Sequence, residues 1–156
     1  MNTSIKTDLP KEKIINILKE NVLHHSPVLN SRHIKSVETD KKICGYNDEN
    51  SFLIWKTLNK KAVIVPILKG EVENGVISIH GELPIQNKYM LIFWYVLLSL
   101  YILLNVAYIP FSYDKLIYLV NIVVGIAVLF ISLFLVKRTF KKRFNKTIEV
   151  LEELLS

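Results

Sequence analysis

The chain has 156 residues, 51% hydrophobic side chains, a formal net charge of +6 and one cysteine. That length suits one domain, or a small domain with something added. A single cysteine excludes an internal disulfide framework and an all-cysteine zinc site, and a mean hydropathy of +0.31 excludes a disordered chain.

Residues 1–88 carry 13 Lys+Arg and 10 Asp+Glu, an ordinary soluble balance. Ile5-Lys6 reads as a short strand. Asp8 is the expected N-cap of a helix with Pro10 in its first turn. The helix follows in KEKIINILKENVL, where apolar side chains at 14, 15, 17, 18, 22 and 23 share a face. Ser26-Pro27 ends that pattern, and residues 28–41 are polar without a clear period.

Then the period changes. KICGY, SFLIWKT, AVIVPILKG and GVISIHGEL read as the strands of an antiparallel meander. Asn47–Asn50 and Asn59–Lys61 serve as turns, and Asn74-Gly75 is the signature of a type I′ hairpin. Phe52, Leu53, Ile54 and Trp55 are apolar on both sides of the strand, and Ala62–Leu68 is apolar throughout. These strands are therefore expected to be covered on both faces, or covered on one and set against the membrane on the other, with Pro66 at a bulge or an edge. The expected fold class is α+β, with a cytosolic domain over residues 1–87.

Residues 89–113 and 116–136 carry no charge at all. Each run exceeds the roughly 20 apolar residues that cross a bilayer core about 30 Å thick. Spans are expected at about 89–109 and 116–136, within a transmembrane hairpin of residues 88–136. The turn is 110–115, where Pro110 stops the first helix and Asp114-Lys115 needs water. Lys137, Arg138, Lys141, Lys142, Arg143 and Lys146 follow directly. The excess of cations places this end, and so both termini, in the cytoplasm of a two-span protein of the cell membrane. The same six cations suit anionic lipid headgroups, whereas nucleic acid is not an expected partner.

Within the runs, Asn105 and Asn121 stand at equal distance from the turn, which predicts a hydrogen bond across the hairpin. Asn121, Gly125, Val128 and Ser132 make a mostly small stripe, with Tyr101 level with Gly125. Two readings stay open: the stripe closes the hairpin, or it forms the face of a homodimer or oligomer. Residues 137–156 form a basic amphipathic helix. Its apolar side chains Phe140, Phe144, Ile148, Leu151 and Leu155 recur every three or four residues, and their expected partner is the sheet of residues 42–83.

The order short strand, helix, antiparallel strands, terminal helix loosely resembles the START-like, helix-grip domains. That resemblance implies an apolar ligand held between the sheet and the last helix. The segment Gly70 … Asn74-Gly75-Val76-Ile77-Ser78-Ile79 is similar to small bacterial membrane proteins that join a cytosolic α+β part to a paired span.

Chemistry is sparse. His24, His25 and His33 lack the spacing of metal ligands and read as exposed residues at a helix C-terminus. Cys44 reads as a strand residue, with His80 as the one base that the same sheet could bring to it. Glu71, Glu73 and Glu82 straddle a solvated hairpin. No nucleophile elbow and no glycine-rich phosphate loop is present. The chain is expected to be no enzyme and to hold no cofactor or metal. Its expected role is a membrane-anchored interaction or sensing module. The alternatives are a START-like binder of lipid or another apolar ligand at the membrane surface, and a membrane-perturbing effector.

Overall fold

The structure, a computed structural model, describes residues 1–24, 43–48, 50–56, 64–73, 75–111 and 113–156. Its elements in chain order are β1 (Asn2–Lys6), α1 (Lys11–Asn21), β2 (Val22–His24), β3 (Ile43–Asn47), β4 (Ser51–Lys56), β5 (Ile67–Glu73), β6 (Val76–Glu82), α2 (Ile85–Tyr108) and α3 (Lys115–Leu155). The class is α+β. The sheet has six strands in the order β1-β6-β5-β4-β3-β2, antiparallel except where β2 pairs with β3. His25, His33, the Ser26-Pro27 break, residues 28–41 and the Asn59–Lys61 turn lie outside the described residues.

Alternation explains the centre of the sheet. In β5 and β6, Leu68, Gly70, Val72, Ile77, Ile79 and Gly81 share the inner face, while Lys69, Glu71, Ser78 and His80 point outward. Glu73 stands opposite Val76, so two residues close the hairpin, and Gly75 takes a φ of 77° that suits glycine. Both edges of the sheet depart from the sequence reading. β1 is longer than Ile5-Lys6, because Asn2–Lys6 pairs in full with Val76–His80. The helix after it starts later than expected: Pro10 occupies the N-cap, not Asp8, and its carbonyl accepts from the N–H groups of Lys13 and Ile14 at 3.0 and 3.2 Å.

The same helix also ends earlier. Val22, Leu23 and His24 leave it and pair in parallel with Ile43, Cys44 and Gly45. A β-branched residue loses little by extending, and Val22 keeps its burial there. His24 thus lies in a strand, not at a helix C-terminus. Pro66 precedes β5 and is no bulge within it, so its missing N–H costs no ladder bond. The expectation of cover on both faces holds for β3, β4 and the start of β5, where Ile67 and Leu68 are both buried. On their outer side, Cys44, Trp55 and Val65 form a small buried cluster with Leu23 and Leu53 beside it.

The main core lies on the inner face. Ile14, Ile15 and Leu18 of α1, Phe144, Val150, Leu151 and Leu155 of α3, and Ile43, Phe52, Ile54, Leu68, Val72, Ile77 and Ile79 of the sheet form one buried cluster. Phe144 lies so close to Gly81 that a Cβ there would overlap its ring. Phe52 covers Gly70, its cross-strand partner, in the same way.

α2 and α3 are long and apolar enough to cross a membrane, and only 6% of the most apolar stretch of each is buried. A short 3-10 turn, Ile109–Phe111, ends α2 at Pro110. α3 runs 41 residues without interruption, about 62 Å at 1.5 Å per residue. Its first half lies against α2 and its last four turns enter the core.

Candidate functional site

Two surfaces gather polar side chains. The first lies where α3 leaves its uncharged stretch. Arg138, Lys142 and Lys146 recur every four residues and so share one face of α3, with Arg143 beside them. The sheet adds Lys56 from the end of β4, and Val65 and Pro66 from the segment leading into β5. Together with Leu135, Thr139 and Thr147 they line a cavity of about 630 Å³. Among the described residues, five cations and no carboxylate line it. Arg143 is fixed by donating from Nη1 to the carbonyl of Ile64 at 2.8 Å. Thr147 is buried and donates to the Arg143 carbonyl at 2.9 Å. α3 is thereby held against the lead-in to β5 at its basic turns.

The structure divides the six cations of the cluster. Arg138, Lys142, Arg143 and Lys146 line the cavity, and Lys137 and Lys141 do not. Positions 137 and 141 lie about 100° round the helix from 138 and 142. Lys56 was missed by sequence reasoning, because nothing local ties a residue at a strand end to a helix over 80 residues later.

The second surface is the outer face of the sheet. Cross-strand pairing lines up Tyr46, Leu53, Lys69, His80 and Asn2 in one row, and Ser51, Glu71, Ser78 and Ser4 in the next. These rows floor a groove of about 700 Å³. His80 Nδ1 and Asn2 Oδ1 are 2.6 Å apart. An amide oxygen only accepts, so Nδ1 is the donor in this contact. Lys69 and Lys88 both reach Glu82, Lys88 at 3.1 Å. The hydrogen bond from Lys69 holds the Glu82 carboxyl below its usual range against the opposing effect of burial, and Lys88 adds to the lowering. Cys44 and His80 share this outer face, but β4 and β5 stand between their strands, about 14 Å at the usual strand spacing. They form no nucleophile–base pair.

Between α2 and α3, Asn121 Nδ2 donates to Asn105 Oδ1 at 3.2 Å, and Asn105 Nδ2 donates to the Tyr101 carbonyl at 2.8 Å. Gly125 is buried against α2, with Ile102 nearer to it than Tyr101. Ser132 donates within its own helix, to the Leu129 carbonyl at 2.8 Å. Asn105, Asn121 and Gly125 thus lie at the contact between the two helices, while the Ser132 hydroxyl is bonded within α3. Tyr108 and Tyr118 stack near the turn with ring centres 6.4 Å apart.

The space between α3 and the sheet is filled by Phe144, Leu151, Ile14 and Leu18, each at most 1% exposed. The position that a helix-grip domain gives to its ligand is therefore packed with side chains. No protein-family model, no curated protein and no solved structure matches this chain.

Proposed function

We propose that the chain is a two-span protein of the cell membrane, with both termini in the cytoplasm, whose α+β domain is a non-enzymatic interaction or sensing module. The observation that carries this is the continuity of α3. One helix is exposed and apolar over its first half and supplies Phe144, Val150, Leu151 and Leu155 to the domain core over its second. A rigid helix with no break between these parts makes a displacement of the domain a displacement of the span. The polar groove over Ser51, Glu71 and Ser78 is the surface left for a protein partner. The filled interior favours this over an apolar-ligand binder, and the use of Asn105, Asn121 and Gly125 within the hairpin favours it over an assembling, membrane-perturbing effector.

The test has two arms in bacteria expressing the full chain with Cys44→Ser. A single cysteine at position 113 is expected to react with an impermeant thiol reagent from outside, and cysteines at 4 and 156 only after permeabilisation. A photo-crosslinking residue at 51, 71 or 78 is expected to yield one discrete adduct, absent when it is placed at Lys13 on α1. Labelling of position 156 in intact cells contradicts the topology. Adducts of equal yield from Lys13 and from the groove contradict the interaction surface.

A further inference from the structure

We propose that the basic cavity at the foot of α3 is a built site for an anionic phospholipid, and that it prefers a headgroup with two phosphodiesters over one with a single phosphodiester. The inference rests on the membrane-spanning reading above and deepens it by naming a ligand class. Lys56, Arg138, Lys142, Arg143 and Lys146 bring five positive charges to one cavity whose lining, among the described residues, includes no carboxylate. Like charges held this close repel one another, and an anion relieves the repulsion. One phosphodiester carries a single negative charge and leaves most of the five unmatched. Two phosphodiesters match more of them. They also have room, because Arg138 and Lys146 are about 12 Å apart along the helix at 1.5 Å per residue.

Position selects a lipid over a soluble phosphate. Leu135, one residue before the uncharged run ends at Val136, lines the cavity, and Val65 and Pro66 add further apolar lining. Cations beside apolar side chains match a molecule that offers phosphate and acyl chain together. Basic cavities at the cytoplasmic end of spanning helices bind such headgroups by this combination. The tether from Arg143 to the Ile64 carbonyl brings the Val65 wall and the helix together before any ligand arrives, so little ordering remains on binding.

The test uses the full chain in nanodiscs of phosphatidylcholine. Diphosphatidylglycerol is added in one series, and phosphatidylglycerol at equal total charge in another. Bound lipid is counted by native mass spectrometry. Arg138→Gln/Lys142→Gln removes two charges from the cavity. Lys137→Gln/Lys141→Gln removes two from the same turns outside it, and Lys56→Gln removes one from the sheet side. The expected result is a fall of about tenfold or more in diphosphatidylglycerol binding for the 138/142 variant and about threefold for Lys56→Gln, against less than about twofold for the 137/141 variant. Equal losses in the two double variants, equal binding of the two lipids, or displacement of the lipid by millimolar inorganic pyrophosphate would each overturn the site. A chain that inserts in nanodiscs and shows none of these preferences refutes the lipid site alone. A chain that does not insert refutes the membrane-spanning reading, and the lipid site with it.

Discussion

The two halves of α3 are one helix with two different surfaces. Over Lys115–Val136 the apolar residues surround the helix, most of them exposed, and Gly125 is the one residue that is buried. Over Lys137–Leu155 the apolar residues narrow to a stripe, cations and glutamates take the other faces, and Phe144, Thr147, Val150, Leu151 and Leu155 are buried. Helix propensity does not separate the halves, since leucine, lysine and glutamate all favour the helix. What separates them is how far round the helix the apolar side chains extend. An all-round apolar surface suits hydrocarbon, and a stripe suits a core. The junction is where the basic cavity lies, because charges return to the chain just as the all-round apolar surface ends.

The largest effect is expected where the lower half meets the sheet. Phe144→Ala leaves a hole over Gly81 and should cost the domain about 3–5 kcal/mol, read as a lower denaturant midpoint. The hairpin should survive, with trypsin still sparing the uncharged stretches in nanodiscs. If the hairpin melts with the domain, the two halves are not separable. Next, Gly81→Ala drives a methyl group into the Phe144 ring and should cost about 1–3 kcal/mol. Phe144→Leu made in the same chain should recover part of it, whereas additive losses would deny the contact.

In the upper half the effects are smaller and should spare the domain. Asn121→Leu removes the bond to Asn105 and should weaken the hairpin by about 0.6–2 kcal/mol in a detergent unfolding assay. The denaturant midpoint of the domain should not change. A shift in that midpoint would mean that strain travels along α3 further than proposed. The smallest effect belongs to Glu82, where the sheet joins α2. Its pKa is lowered in the folded chain, so its ion pairs stabilise fully above the ordinary value near 4.5. That stability is lost as pH falls through the lowered value. Glu82→Gln should therefore cost about 0.5 kcal/mol at pH 7 and nothing in acid, below the folded-state value. An equal cost at both pH values would contradict the pairing with Lys69 and Lys88.

Local pattern served well where partners are close in sequence. The two uncharged runs, the alternation of β5 and β6 and the two-residue hairpin at Gly75 could all be read directly from the chain. Pairing at a distance could not. β2 was hidden because Val22 and Leu23 continue the helical spacing of Ile14–Leu18, and its partner Ile43–Gly45 lies some 20 residues away. The first residues of β1 were missed because Asn2–Ser4 are polar and gain their order from β6, over 70 residues later. The candidate site was read in part. The basic cluster is plain in the sequence as six cations, but which of them meet the sheet is not. The 100° step per residue already separates 137 and 141 from 138 and 142. The contribution of Lys56 needed the tertiary fold, since only the packing of α3 on the sheet brings β4 to the helix.

The change of solvent along α3 is tested most directly by a spin-label scan of residues 115–156 in nanodiscs, comparing accessibility to oxygen and to a water-soluble nickel chelate. From Leu116 to Val136, every position not facing α2 should favour oxygen. Beyond Lys137 that preference should vanish, with positions 144, 147 and 151 shielded from both reagents and 149, 152 and 153 open to nickel. An oxygen preference that returned at 140, 144, 148, 151 and 155 would place the second half on the membrane surface and contradict a helix shared between lipid and core.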